Sequence, residues 1–305
     1  MQWKLLVLGV NAAVPMKGRH PSAQLLDVGN ELILIDCGEG TQLRMCECHV
    51  RRSRINHVFI SHLHGDHIYG LPGLITSYNL GRREEPLFIY GPFGINDFIH
   101  KTLDATQISL HFDLHVLEHN SMATSTICTL PNLHVKTLPL IHRVPTTGYL
   151  FLEQTAKRSI DPQAVKENKV PHHFFPALQK GEDWTQGDGK VITNEILTRP
   201  GRRPLSYAYC SDTAYNRDLI PLIYKANLLY HESTFLQDLH EKAVDRGHST
   251  AIDAASIAKE AEVASLLLGH FSSRYEDLNE FEREAKKVFQ NTQIAMEGLT
   301  YNIAH

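Results

Sequence analysis

The sequence predicts an α/β protein in which two β-sheets pack together and helices cover their outer sides. Three observations lead to this prediction: the first half is rich in short strands, the second half alternates strands with helices, and a polar stretch between residues 153 and 204 interrupts the pattern. One large sandwich with an insertion fits the 305 residues, because broad sandwich folds reach about 200 to 250 residues as a single domain.

Short apolar runs bounded by Gly, Pro and Asn predict the strands, and longer segments with helical character predict the helices. In the first half, strands are predicted at residues 4–9, 23–28, 31–36, 56–61, 87–90, 111–117 and 133–138, with helices at 71–80 and 94–103. In the second half, strands at 205–210, 228–230 and 264–268 are predicted to alternate with helices at 217–224, 251–261 and 277–289.

Residues 153–199 differ in character from the rest of the chain. They are polar, interrupted by Pro and Gly, and lack a sustained period. A structureless loop of that length is uncommon inside a compact domain. We therefore predict one domain over residues 1–305 with a flexible arm inserted at 153–199 that has a function of its own.

The composition excludes several classes of protein. A hydrophobic share of 42% is that of a globular chain, and no stretch approaches the roughly 18 uncharged apolar residues that span a bilayer, so we expect a soluble protein. Five scattered cysteines argue against a disulfide framework and favour the cytoplasm. The net charge of -4 gives no sign of a protein that coats nucleic acid, whereas 19 histidines direct attention to metal ligands.

The central feature is Ser-His-Leu-His-Gly-Asp-His at 61–67, directly after a predicted buried strand. His62 and His64 can project to one side of an extended segment, and Gly65 permits a turn that brings Asp66 and His67 beside them. A solvated polar loop is the alternative, but this motif after a buried strand is far more specific than a lone H-x-H. We predict that the loop serves two metal ions.

With this loop the sequence resembles the metallo-β-lactamase superfamily, and FISHLHGDHIYGLPGL at 59–74 is similar to the ribonuclease Z family within it. The similarity continues in the acidic glycine turn at 35–42, in HEST at 231–234, which resembles the family's HEAT box, and in HST at 248–250. The resemblance implies an αββα sandwich, a metallo-β-lactamase-like catalytic domain, with a dinuclear site along the edge where the sheets meet.

The resemblance also implies seven metal ligands. It places His62, His64, His142 and Asp212 on one metal, and Asp66, His67, Asp212 and His270 on the other, with Asp212 as the bridge. Imidazole and carboxylate ligands suit zinc, two ions per chain, with manganese or iron as alternatives. Taken singly, His142 is explained as well by an ordinary core or surface histidine, and Asp212 by a capping residue.

The implied reaction is hydrolysis of a phosphodiester by metal-activated water, after the discriminator nucleotide of precursor tRNA. It leaves a 3′-hydroxyl on the tRNA and a 5′-phosphate on the trailer. Asp66 is implied as the general base, His248 as the acid that protonates the leaving oxygen, and Glu232 as the carboxylate that orients His248. The alternative for the two boxes is that they cap helices before Phe235 and Ala251.

The resemblance implies that the arm at 153–199 is an exosite for tRNA, commonly supplied by the partner in a homodimer. His172 to Phe175 depart from the family here, which has Gly-Pro at this point. A small-molecule phosphodiesterase, or another hydrolase of the superfamily that acts on a lactam or thioester, is the first alternative function. A noncatalytic RNA-binding relative is the second, and intact ligands at all seven positions argue against it.

Overall fold

The structure, a computed structural model, describes residues 2–154 and 157–304. Its strands are β1 (Trp3–Gly9), β2 (Ala23–Asp27), β3 (Leu32–Ile35), β4 (Ile55–Phe59), β5 (Leu87–Pro92), β6 (Leu114–His119), β7 (Thr126–Leu130), β8 (Leu133–Pro139), β9 (Thr147–Glu153), β10 (Ser159–Ile160), β11 (Trp184–Thr185), β12 (Val191–Ile192), β13 (Thr198–Arg199), β14 (Ser206–Cys210), β15 (Leu228–Glu232), β16 (Leu266–Gly269), β17 (Thr292–Ile294) and β18 (Thr300–Ile303). Its α-helices are α1 (Thr41–Glu47), α2 (Gly65–Ile68), α3 (Leu71–Leu80), α4 (Ile95–Ala105), α5 (Pro162–Glu167), α6 (Phe175–Lys180), α7 (Asn194–Leu197), α8 (Leu219–Leu222), α9 (His240–Arg246), α10 (Ala251–Glu260) and α11 (Asn279–Ala285). Short 3-10 helices lie at Arg52–Arg54, His172–Phe174 and Gln237–Leu239.

Fourteen of these strands form two seven-stranded sheets. The first has the order β18-β1-β2-β3-β4-β5-β6, and the second has the order β17-β16-β15-β14-β9-β8-β7. Strands β3 to β6 run parallel to one another, and so do β14 to β17. Because the carboxyl ends of parallel strands meet at one edge of a sheet, the residues that follow β4, β14, β15 and β16 are brought to sheet edges where polar side chains can gather.

Aromatic side chains fill the space between the two sheets. The ring of Phe59 on β4 stacks on Tyr90, 4.5 Å between centroids, and meets Tyr149 of the second sheet edge to face at 5.2 Å. The Tyr149 hydroxyl donates to the Ile60 carbonyl at 2.6 Å. A buried Tyr pairs an apolar body with a polar tip that needs a partner, so these contacts fix the packing of the sheets.

Helices cover the outer faces. Buried side chains of α1, α3 and α4, among them Met45, Leu74 and Ile99, form one hydrophobic cluster with strand residues of the first sheet. Helix α10 packs on β15 and β16, and α11 packs on α10 and β17. The predicted αββα sandwich is therefore confirmed.

Most predicted elements are found, with differences at the ends. The helix at 71–80 is confirmed as α3, whereas the helices predicted at 217–224 and 277–289 are wrong in length, since α8 and α11 are much shorter. Helix α1 was not predicted, because a glycine at position 40 indicates a turn and only two residues of the helix, Thr41 and Met45, are buried. In the structure, Gly40 precedes the helix with a φ of 82. Within the described residues, no helix is long and apolar enough to cross a membrane.

A second compact unit comprises residues 131–133 and 153–204. It contains α5 to α7 and two small sheets, β10 with β13 and β11 with β12. Its own core consists of Val165, Val170, Leu178, Ile192 and Leu197. These short elements follow no long sequence period, which is why the sequence pointed to an insertion but to no elements inside it.

Candidate metal centre

The structure brings all seven predicted ligand side chains together at the strand ends. His62 and His64 follow β4, Asp66 and His67 lie on α2, and the remaining three follow β8, β14 and β16 as His142, Asp212 and His270. They form two groups that could each hold a metal ion: His62, His64, His142 and Asp212, and Asp66, His67 and His270. The role of each as a ligand stays a prediction.

Asp212 lies between the two groups and presents one oxygen to each. Its Oδ2 is 3.6 Å from His62 Nε2 and 3.7 Å from His142 Nε2. Its Oδ1 is 3.4 Å from His67 Nε2 and 3.2 Å from His270 Nε2. A carboxylate in this position can bridge two cations.

The second nitrogen of four histidines is held by an oxygen acceptor. His62 Nδ1 lies 3.0 Å from Ser61 Oγ, and His67 Nδ1 lies 2.7 Å from Asp36 Oδ2. His142 Nδ1 lies 2.7 Å from the Gly247 carbonyl oxygen, and His270 Nδ1 lies 2.9 Å from Thr234 Oγ1. With Nδ1–H as the donor, Nε2 faces the cluster and is the ring atom available to bind a metal ion. His64 instead turns its Nδ1 inward, 3.0 Å from His62 Nε2.

The protonation of the first group also fits a metal. Burial lowers the pKa of His62, His64 and His142, so these rings are neutral and offer a lone pair. Burial opposes the charged form of Asp66 too, but the His67 and His270 imidazoles hold its pKa well below the usual range. A neutral imidazole set beside ionised carboxylates is a donor set that suits a divalent cation.

Asp36 orients the centre from behind. Its fully buried carboxylate accepts hydrogen bonds from His67, from the Ser61 backbone at 2.7 Å and hydroxyl at 2.8 Å, and from Tyr209 at 2.6 Å. Asp36 and His270 both have left-handed backbone, with φ of 54 and 57, and such strain persists where surrounding contacts enforce it. The acidic glycine turn therefore contains a residue that positions a predicted ligand.

Close packing places α2 beside this turn. A Cβ on Gly38 would lie 2.4 Å from the Asp66 carbonyl oxygen, and a Cβ on Gly70 would lie 2.2 Å from the Gly38 carbonyl oxygen. Only glycine fits at either position. The two glycine motifs thus allow the backbone segments that carry Asp36 and Asp66 to touch.

Glu232 and His248 form a hydrogen-bonded pair at the rim of the cluster. Glu232 Oε1 lies 2.8 Å from His248 Nδ1, and its other oxygen accepts from the Thr234 hydroxyl at 2.8 Å. Burial disfavours the charged ring, but the Glu232 carboxylate raises the pKa of His248 to about 9. The pair is therefore arranged as a protonated histidine oriented by a carboxylate.

The structure shows what His248 contacts and which of the two boxes caps a helix. Asp212, His248 and His270 form a third group of ligand type, but His248 Nδ1 is 3.9 Å from Asp212 and already bound to Glu232. Thr250 does cap α10 in a capping box with Asp253, so the HST motif serves the helix as well. HEST caps no helix at Phe235, since the next helical turn begins at Gln237.

The cluster opens into a cleft of about 640 Å³. His64, Asp66, Asp212, His248 and His270 line it. Three exposed arginines that the sequence did not predict also line it: Arg143, Arg246 and Arg274. Arg143 and Arg246 each neighbour a residue of the His142–Gly247 hydrogen bond, a contact that no local sequence signal reveals.

Comparison with solved structures agrees with this architecture. The human short-form tRNase Z, ELAC1, is similar with a TM-score of 0.72 and 26% identity, over 99% of this chain and 100% of that chain. The sandwich and its histidine–aspartate cluster at the strand ends define a metallo-β-lactamase-fold protein with a site that can hold metal ions.

Sequence relatives cover nearly the whole chain. Curated proteins named ribonuclease Z from Parabacteroides distasonis and Porphyromonas gingivalis are 39% and 37% identical over 97% of this chain and 98% of their own length. A family model described as anti-Pycsar protein Apyc1 matches residues 3–170. The chain belongs to the ribonuclease Z family, and residues 3–170 also place it in the family described as Apyc1.

Proposed function

We propose that this chain is an endoribonuclease that removes the 3′ trailer from precursor tRNA, by cutting after the discriminator nucleotide to leave a tRNA 3′-hydroxyl and a trailer 5′-phosphate. One observation supports this most strongly. The Asp212 carboxylate lies between two groups of metal-ligand side chains, and His248, held by the buried Glu232, lines the same cleft. The relatives named ribonuclease Z match nearly the whole chain, which supports RNA as the substrate.

The proposed ligands are His62, His64, His142 and Asp212 for one metal, and Asp66, His67, Asp212 and His270 for the other. The inward-facing imidazole nitrogens and the position of the Asp212 carboxylate support this division. Zinc suits such a mixed nitrogen and oxygen set, with manganese or iron as alternatives.

When bound, two divalent ions lower the pKa of a coordinated water and neutralise charge on the phosphoryl oxygens. Asp66 faces the cleft as an ionised carboxylate, so it can accept the proton of the attacking water. His248 is the proposed general acid, because its Nδ1 is held by Glu232 and its Nε2 is left for the departing 3′ oxygen.

The cleft suits a polyanionic substrate. Arg143, Arg246 and Arg274 are exposed at its lining, and cations in such positions bind backbone phosphates. An RNA strand offers several backbone phosphates to these cations, whereas a small phosphodiester has one. This observation favours RNA over the alternative substrate.

The assay that tests this function uses a precursor tRNA labelled at its 5′ end, with bis(p-nitrophenyl) phosphate as the small ester. We expect one cut at the discriminator nucleotide, together with the two product ends named above. Hydrolysis of the small ester with the precursor left intact would instead assign the chain to the small-molecule phosphodiesterases.

We further propose that the second unit is the RNA-binding arm, that the protein is a homodimer, and that it acts in the cytoplasm. Residues 153–204 carry nine Lys and Arg against seven Asp and Glu, so this segment is positive in a chain of net charge -4.

The five free cysteines, three of them buried, suit a reducing compartment. Light scattering of the purified protein tests the dimer.

Replacing residues 154–204 by a short Gly-Ser linker is expected to raise the KM for precursor tRNA and to leave hydrolysis of bis(p-nitrophenyl) phosphate unchanged. The physical reason is that the proposed arm contributes to binding of the RNA and supplies no group that acts on the reacting bond. Strands β9 and β14 stay whole in this variant. Parallel losses on both substrates would show that the unit supports the catalytic fold and has no separate role in binding.

A further inference from the structure

Tyr69 is an exposed aromatic residue in the cleft that holds the metal cluster. It directly follows α2, and 65% of its surface is accessible. The same cleft is lined by His64 and Asp66, which lie five and three residues before it. The proposed hydrolysis assigns no role to this ring.

The ring is fixed on one side by backbone. A Cβ on Gly65 would lie 2.2 Å from Cε2 and 2.6 Å from Cδ2 of Tyr69, so the ring lies directly against that glycine. The Tyr69 amide donates to the Gly65 carbonyl at 3.0 Å, which holds the two residues together. Within residues 2–154 and 157–304, the ring contacts of the nearby histidines are made with one another and with Phe235, and none of them includes Tyr69. The glycine contact therefore positions an aromatic surface that is open to the cleft.

The neighbouring groups indicate what this surface binds. Arg143, Arg246 and Arg274 supply positive charge for phosphates in the cleft, whereas the Tyr69 ring supplies an uncharged aromatic face. Single-stranded RNA ends present unstacked bases, and aromatic side chains bind such bases by stacking on them. A base next to the scissile phosphate is the part of the substrate that this ring fits.

We propose that Tyr69 stacks on one of the two bases that flank the scissile phosphodiester. This inference rests on the proposed function, because it requires an RNA strand in the cleft. Stacking is tolerant of base identity, since every base has an aromatic face. Tyr69 therefore positions the strand at the reacting centre and does not select a sequence.

The test compares kcat/KM on an intact precursor tRNA with kcat/KM on two precursors that each lack one of the flanking bases. We expect Tyr69→Ala to lower kcat/KM on the intact precursor by about 5- to 100-fold, the effect of one lost stacked base. Tyr69→Phe keeps the aromatic face and should retain wild-type kcat/KM. On one of the two abasic precursors, Tyr69→Ala and wild type should be equal, because the stacking partner is already missing.

Phe93 provides a matched control. It is exposed by the same 65%, and Phe93→Ala should keep wild-type kcat/KM because the residue is not among those that line the described cleft. An equal loss in Tyr69→Ala on the intact and both abasic precursors would overturn the inference, as would an equal loss in Phe93→Ala. Wild-type protein that leaves the intact precursor uncut would overturn the proposed function itself, so the two failures are distinguishable.

Discussion

Replacing Asp212 with alanine is expected to lower precursor cleavage by at least about 10³-fold, because metal stabilisation worth several kcal/mol is lost. The reason is the position of its carboxylate. Oδ1 and Oδ2 each approach two histidines of a different group, so one substitution removes a ligand from both proposed sites. Metal analysis after dialysis should show a loss of both ions rather than one.

The matched control is Asp27→Ala. Asp27 lies on β2 and pairs with Arg54 at 3.3 Å, a partly exposed ion pair outside the cleft. This variant should keep its metals and its activity, because surface ion pairs contribute little to stability. Retention of two metals by folded Asp212→Ala, as judged by circular dichroism, would show that Asp212 is not the bridge.

His248→Ala is expected to lower turnover by about 10² to 10⁴-fold while metal content and RNA affinity stay near wild type. The ring is held by Glu232 and lines the cleft, and seven other side chains already fill the proposed ligand positions. A proton donor acts in the transition state, so its loss changes turnover and not binding.

A precursor whose scissile 3′ oxygen is replaced by sulfur separates acid catalysis from other roles. Sulfur leaves without a proton, so His248→Ala should cleave this precursor almost as fast as wild type does. His240→Ala, which changes a half-buried histidine on α9, is the control and should behave as wild type on both precursors. If His248→Ala loses as much turnover on the sulfur precursor as on the normal precursor, His248 has a structural role. His231 of the HEST segment would then be the next candidate for the acid, but it is buried with its Nδ1 on the Glu232 carbonyl.

The family resemblance implied which side chains are the ligands, and strand order explains why the structure brings those side chains together. His62 to His67, Asp212 and His270 each come directly after a strand, and parallel strands bring their carboxyl ends to one edge. Glu232 is the last residue of the parallel strand β15, so it lies at the same edge. Neither the ligand roles nor the acid role of His248 follows from placement alone.

The residues that orient the ligands were not predictable in the same way. Asp36 reaches His67 through a left-handed backbone, and its partner Tyr209 comes from the opposite sheet. Thr234 joins Glu232 to His270 with one hydroxyl. These contacts depend on how two sheets pack, and the spacing of residues along the chain carries no signal for them. The arginines of the cleft were missed for the same reason.

The central claim is that a two-metal centre cuts precursor tRNA at the trailer junction. Its most direct test is to strip the wild-type protein of metal with a chelator and to follow cleavage of the 5′-labelled precursor tRNA as zinc is added back. The two ligand groups on either side of Asp212 predict that cleavage is absent without metal and reaches its plateau at two equivalents per chain. A plateau at one equivalent, or full cleavage by the stripped protein, would contradict the account.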